Sequence, residues 1–164
     1  MPRSLPLVTI PTPSLRERSI EVNPRTIGTP EFQTFLDELI ETMRVENGVG
    51  IAAPQVSRNI RVFIVNEKGN GVAYINPVVT PLTEITEESE EGCLSVPGTL
   101  GANHRPYGIV MRAKKVHVTA LTRHARRVEF DAKGFLALVF QHEMDHLDGI
   151  VYLDKKVRMT KGHA

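Results

Sequence analysis

Gln141-His142-Glu143-Met144-Asp145-His146-Leu147-Asp148-Gly149 holds the residue types and spacing that most directly imply chemistry. It continues a Pro-free apolar run, Phe135 to Phe140, that reads as a buried helix, apolar on every side. On a helix His142 and His146, four residues apart, share a face. Their imidazoles can then bind one metal ion, and Glu143, next to the first of them, can act as general base on a water held by that ion. The bland alternative is two core histidines with satisfied hydrogen bonds beside a surface Glu. A Glu buried between two buried imidazoles would otherwise be an expensive placement.

A hydrolytic metal usually has three protein ligands and one open position. No Glu follows Glu143, Tyr152 stands where the metzincin pattern needs His, and the only later histidine is His163. The third ligand is therefore expected upstream, where the chain's single cysteine, Cys93, lies in Glu91-Gly92-Cys93-Leu94-Ser95. A thiolate is a strong ligand for a first-row metal. Three other readings remain open. A zinc peptidase would share only the helix motif and lacks its downstream ligand. A cysteine hydrolase would use Cys93 as nucleophile and a histidine as base. A purely structural metal would need a fourth ligand, which the sequence does not offer.

These residues need a scaffold, and 164 residues with 41% hydrophobic content suffice for one domain, residues 1–164, with a real core. A net charge of +1 with both signs interspersed argues against DNA and membrane surfaces as partners. One cysteine excludes an internal disulfide and suits a reducing compartment, so a cytoplasmic location is expected. Residues 1–30 have no apolar stretch long enough for a signal peptide or a span, and Glu17 and Glu21 speak against a transit peptide.

Residues 1–28 are Pro-punctuated and read as extended, with Leu7 to Ile10 as a short strand or an arm over the body. Thr29-Pro30-Glu31 signals a helix start, with Phe32, Phe35, Leu36, Leu39, Ile40 and Met43 as its apolar stripe and Asn47-Gly48 as its end. Gly48 to Gln55 reads as a helix-to-strand loop whose small residues admit close approach. Ile60–Val65 and Val72–Val79 read as a hairpin around Lys68-Gly69-Asn70-Gly71. Glu84–Glu91 reads as a solvated acidic loop with Glu91 turned inward. Pro97-Gly98 is a predicted turn, and Val116, Val118 and Ala120 alternate as a half-buried strand within 108–122. A turn at Arg123–Arg126 and a returning strand with Val128 and Phe130 come next, before Asp131 caps the motif helix. The tail from Lys155 reads as a solvated basic end. The fold class is thus α+β: mostly antiparallel strands around a buried C-terminal helix carrying HExxH, with an N-terminal scaffold helix.

Gly-Val-Gly-Ile-Ala-Ala-Pro-Gln (48–55), Glu-Gly-Cys-Leu-Ser (91–95) and Gln-His-Glu-Met-Asp-His-Leu-Asp-Gly (141–149) together resemble, in order, the three signatures of peptide deformylases. The resemblance implies a cytoplasmic metal-binding hydrolase of protein biosynthesis, acting in N-terminal methionine processing. It would remove the N-formyl group from the formyl-methionine of nascent chains and release formate. It implies one divalent metal per chain on Cys93, His142 and His146, iron(II) in the cell, with zinc, nickel or cobalt as replacements. Glu143 would be the general base and then the acid, and the side-chain amide of Gln55 and backbone N–H of Leu94 would face the oxygen that gains charge. Gly50 resembles the position whose backbone meets the peptide, and Val49, Phe135 and Leu138 the wall of the methionine pocket. Formyl-Met nascent peptides are the implied partners, the ribosome a transient contact, and a monomer is expected. Two departures are expected: Leu100 stands near the position where several members carry a peptide-gripping arginine, and the long C-terminal helix of some members is not expected here.

Overall fold

Thr29 opens the first helix, α1 (Pro30–Val45), by accepting a hydrogen bond from the Phe32 N–H at 3.3 Å, with Pro30 in the first turn where its missing donor costs nothing. Phe32, Phe35, Leu36, Leu39 and Met43 are buried and Ile40 half-buried, and the chain leaves the helix at Asn47, whose φ of 53° is one that Asn tolerates. The computed structural model describes residues 1–98 and 104–161. After α1 come β1 (Gly50–Ala52), β2 (Val62–Glu67), β3 (Asn70–Pro81) and β4 (Thr86–Glu91). The chain then forms β5 (Tyr107–Ala113), β6 (Lys115–Leu121), β7 (Arg127–Lys133), α2 (Gly134–Leu147), the short α3 (Tyr152–Lys155) and β8 (Arg158–Thr160).

The strands form two antiparallel sheets, one ordered β1-β2-β3-β6-β7 and one ordered β4-β5-β8. Val62-Phe63-Ile64-Val65 explains how the larger sheet is covered. Val62 and Ile64 pack with α1, Phe63 and Val65 with α2, so every residue of this apolar run is buried on one face or the other. The β2–β3 hairpin turns at Lys68 (φ 53°) and Gly69 (φ 88°), and Asn66 Oδ1 accepts the Gly69 N–H at 2.9 Å. Phe140 of α2 lies 5.7 Å from Phe63 and 4.9 Å from Tyr74, ring centre to ring centre, which fixes the helix just before His142.

Several expectations need correction. Glu84–Glu91 is not a solvated loop: Thr86–Glu91 forms β4, paired with β5, because an apolar partner strand outweighs the poor strand preference of Glu. Residues 48–55 are not a plain loop but hold β1 and a 3-10 turn, Ala53–Val56. Residues 108–122 divide at Lys114 into β5 and β6, which belong to different sheets. Asp131 does not cap α2; it lies within β7, bonded to His117, and the cap position is held by Lys133 without a side-chain bond. The first turn of α2 is not buried all round, since Phe135 is 66% exposed. The tail is not simply solvated, because β8 pairs with β5. Leu7–Ile10 forms no strand, yet it is an arm over the body: Val8 N–H donates to Gln55 O and Ile10 N–H to Ser95 O, both at 2.9 Å. The chain turns at Cys93–Val96, slightly before Pro97. Leu100 lies outside the described residues.

Candidate metal centre and active site

α2 and the turn after β4 bring Cys93, His142 and His146 together, with one ligand atom of each within 4.8 Å of the others. Cys93 Sγ lies 3.3 Å from His146 Nε2 and accepts the Ser95 N–H at 3.4 Å. His142 Nδ1 meets Glu91 Oε1 at 2.8 Å, which fixes the ring and leaves Nε2 free toward the cluster. The donor set, one sulfur and two imidazoles, suits a first-row divalent ion.

Two further motif residues, Gln141 and Asp145, anchor the helix to β5. Gln141 Oε1 accepts the Ala113 N–H at 3.0 Å while its Nε2 donates to Ala113 O at 2.9 Å. Asp145 Oδ2 accepts from Arg112 Nη1 at 2.6 Å, and its other oxygen from Lys155 Nζ at 2.9 Å. Arg112 in turn gives Nε and Nη2 to Glu91 at 2.9 and 2.7 Å. The line Lys155–Asp145–Arg112–Glu91–His142 thus reaches the ligand cluster, and Glu91 faces inward as expected. Sequence reading missed Arg112 and Asp145. The available signal was a charged residue interrupting the apolar run Ile109-Val110-Met111-Arg112-Ala113, where an unpaired guanidinium could not stay buried.

Glu143 is 3% exposed, and its Oε2 has no hydrogen-bond partner among the described residues. Burial drives its carboxyl up to about 7, against the pull of both imidazoles, so it exchanges a proton near neutrality. Burial would likewise push the Cys93 thiol up, but His146 and His142 outweigh it and bring it down to about 5. For Glu91, bonds from Arg112 and His142 overcome burial and lower the carboxyl to about 2.

A Cβ on Gly50 would lie 2.6 Å from Glu143 Oε1 and 2.9 Å from its Cδ, so any side chain here would displace the base. The register gives Gly50 a second property. Asn66 N–H bonds to Val49 O and Ala52 N–H to Gln55 Oε1, so the N–H and C=O of Gly50, on the edge strand β1, turn away from β2. The bond from Ala52, at 2.9 Å, also orients the Gln55 amide, whose Nε2 lies 3.1 Å from Ser95 Oγ and 3.7 Å from Cys93 Sγ. Gly50, Val49, Leu94, Phe135, Leu138 and Glu143 all line one cleft of about 290 Å³, together with Gln55, Cys93 and His142. Of the ten residues singled out from sequence, only His146 lies behind this surface, 1% exposed beneath Cys93.

The polypeptide deformylase family profile matches residues 4–162. The chain is 48% identical over 133 residues to a peptide deformylase of Fusobacterium nucleatum, covering 80% of this chain and 72% of the relative. It is 36% identical to that of Psychrobacter cryohalolentis, covering 98% and 83%. Among solved structures, peptide deformylase from Thermotoga maritima superposes with a TM-score of 0.84 at 32% identity over 94% of this chain and 98% of the other. The actinonin-bound class I type b peptide deformylase from Acinetobacter baumannii gives 0.84 at 35% identity, over 93% and 98%. The chain belongs to the polypeptide deformylase family, metallohydrolases that remove N-formyl groups from nascent peptides.

Proposed function

We propose that residues 1–164 work as one catalytic domain that deformylates the formyl-methionine of nascent chains, with Cys93, His142 and His146 as the ligands of one divalent ion, iron(II) in the cell. The observation that carries this reading is a base, Glu143, buried beside the ligand cluster and turned toward an open cleft. A divalent ion bound there supplies Lewis acidity to the formyl oxygen and to a water. The chain's own groups do the rest. Glu143 would take a proton from the attacking water as the water oxygen bonds to the formyl carbon, and return it to the amine nitrogen as the C–N bond breaks and formate leaves. The Gln55 amide and the Leu94 N–H donate to the oxygen that gains charge, held in place before the reaction. The cleft-facing N–H and C=O of Gly50 support strand-like pairing with the peptide, and Val49, Phe135 and Leu138 offer apolar surface to the methionine side chain. Zinc, nickel or cobalt would replace iron in purified protein.

A cytoplasmic monomer touching the ribosome transiently fits this activity, and no helix among the described residues is long and apolar enough to cross a membrane. One feature favours a second reading, a cysteine hydrolase: Cys93 is thiolate-prone and contacts His146. Formate release from formyl-Met-Ala by anaerobically iron-loaded protein tests the first. Glu143→Gln should retain the metal and lose turnover about a hundredfold or more; near-normal turnover in the metal-replete variant sinks Glu143 as base. Activity that survives chelation and is lost on alkylation would move the assignment to the cysteine hydrolase.

A further inference from the structure

Beyond the reacting end, the cleft carries a charge the proposed chemistry does not use. Arg105, just before β5, is the one Lys or Arg among the described residues lining the cleft. Its Nη2 stands 3.7 Å from Glu46 Oε2, beyond hydrogen-bond reach, and Glu46 is the C-cap of α1 on the wall that leads into Gly48–Gly50. Side-chain exposures of 22% and 37% put this pair at the rim, whereas Cys93 at 5% lies on the floor. The two partners come from different segments, Arg105 from the cleft lining before β5 and Glu46 from the end of α1 beside Asn47 and Gly48, so the pair lies close to the cleft edge that Gly50 also lines.

Glu46 is a poor partner for Arg105. The contact is long, no hydrogen bond closes it, and the carboxylate sits at a helix C-terminus, where the dipole disfavours negative charge. A carboxylate entering on the peptide could make the close, forked contact that Glu46 does not. We propose that Arg105 is a specificity residue for the peptide downstream of the formylated position: it binds a substrate carboxylate, side-chain or terminal, with Glu46 as a weak internal competitor. Tyr107 and Glu90, the neighbouring lining residues, set limits on this choice, because the Glu90 carboxylate, bonded by Thr160 at 2.5 Å, repels an acid placed on its side of the mouth. The preference should therefore depend on which peptide position carries the acid.

The inference rests on the deformylase reading, and the test separates the two. Formyl-Met tetrapeptide amides with Asp at the second, third or fourth position, one at a time, are compared with the all-Ala peptide amide at low salt, with formyl-Met-Ala as the reference for the reaction itself. At one position Asp should raise kcat/KM by about two- to fivefold, the range for a partly exposed ion pair. The gain should appear in KM rather than kcat, because Arg105 is not among the groups assigned to the reaction, and should shrink in high salt. Arg105→Ala should abolish it, Glu46→Gln should enlarge it, and Arg126→Ala, which removes an equal charge from the exposed β6–β7 turn, should leave it intact. Turnover of formyl-Met-Ala with no gain at any position, or a gain that survives Arg105→Ala, overturns the inference alone. Absence of turnover with every formylated peptide overturns the deformylase reading on which it stands.

Discussion

Two histidines of this chain are held by glutamates at the same distance: His142 Nδ1 to Glu91 and His117 Nε2 to Glu129, each 2.8 Å. Their surroundings differ. The His117 and Glu129 side chains are 33% and 52% exposed on the outer face of β6 and β7, with Asp131 on the other ring nitrogen at 2.6 Å. The His142 and Glu91 side chains are 13% and 7% exposed, and Arg112 balances the buried carboxylates behind them. On the surface, water competes for every partner and the bond contributes little beyond what solvent would supply. In the interior, removing one member leaves the others charged and without solvent, so the same bond length fixes a ring orientation on which metal binding depends.

The comparison can be broken most severely at Arg112. Arg112→Met should leave Glu91 and Asp145 as undercompensated buried charges and destabilise the metal-free protein by about 3–5 kcal/mol, lowering Tm by roughly 6–20 °C; a thermal melt within a degree of wild type would refute the interior account. Next in size, Glu91→Gln keeps the shape but weakens the pull on the His142 Nδ1 proton. It should cost about 10–100-fold in metal affinity, read by competition with a chromophoric chelator, and unchanged affinity would reduce Glu91 to a structural partner. Adding Glu91→Gln to Arg112→Met should recover part of the lost stability, because it removes one of the stranded charges, while leaving metal affinity low.

The smallest effect is expected on the surface. Bonds to Asp131, and then to Glu129, raise the pKa of His117 above its ordinary 6.5. A group raised on folding stabilises fully below its unfolded value and loses that contribution as pH rises through the folded one. The Tm difference between wild type and His117→Gln should therefore be greatest just below pH 6.5, fade at higher pH and shrink with salt. A difference that grows with pH would reverse the sign assigned here.

Much of the site was legible because its logic is local. His142 and His146 share a helix face by spacing alone, and the missing downstream ligand directed attention to Cys93. The need for glycine at position 50 was legible only as a small residue near a ligand; that its Cβ would strike Glu143 depends on how β1 meets α2. Arg112 escaped because its partners lie 21 and 33 positions away in the chain, and Asp131 was assigned to a helix cap because nothing nearby announces His117 across the sheet, 14 positions back.

By itself the sequence determined the features that periodicity and turn chemistry dictate: the buried stripe of α1, the turn at Lys68-Gly69, the strand run of β2 and the ligand spacing of α2. Each depends on contacts a few residues apart, where side-chain direction is set by the backbone repeat. Tertiary structure alone decided that Thr86–Glu91 is a strand, that β8 adds the third strand of the smaller sheet, that Arg112 joins Glu91 to Asp145, and that Arg105 meets Glu46. Those outcomes depend on which backbone or charge stands opposite in the folded chain, and burial then makes the match compulsory, since an unpaired strand edge or a lone charge has no water to fall back on.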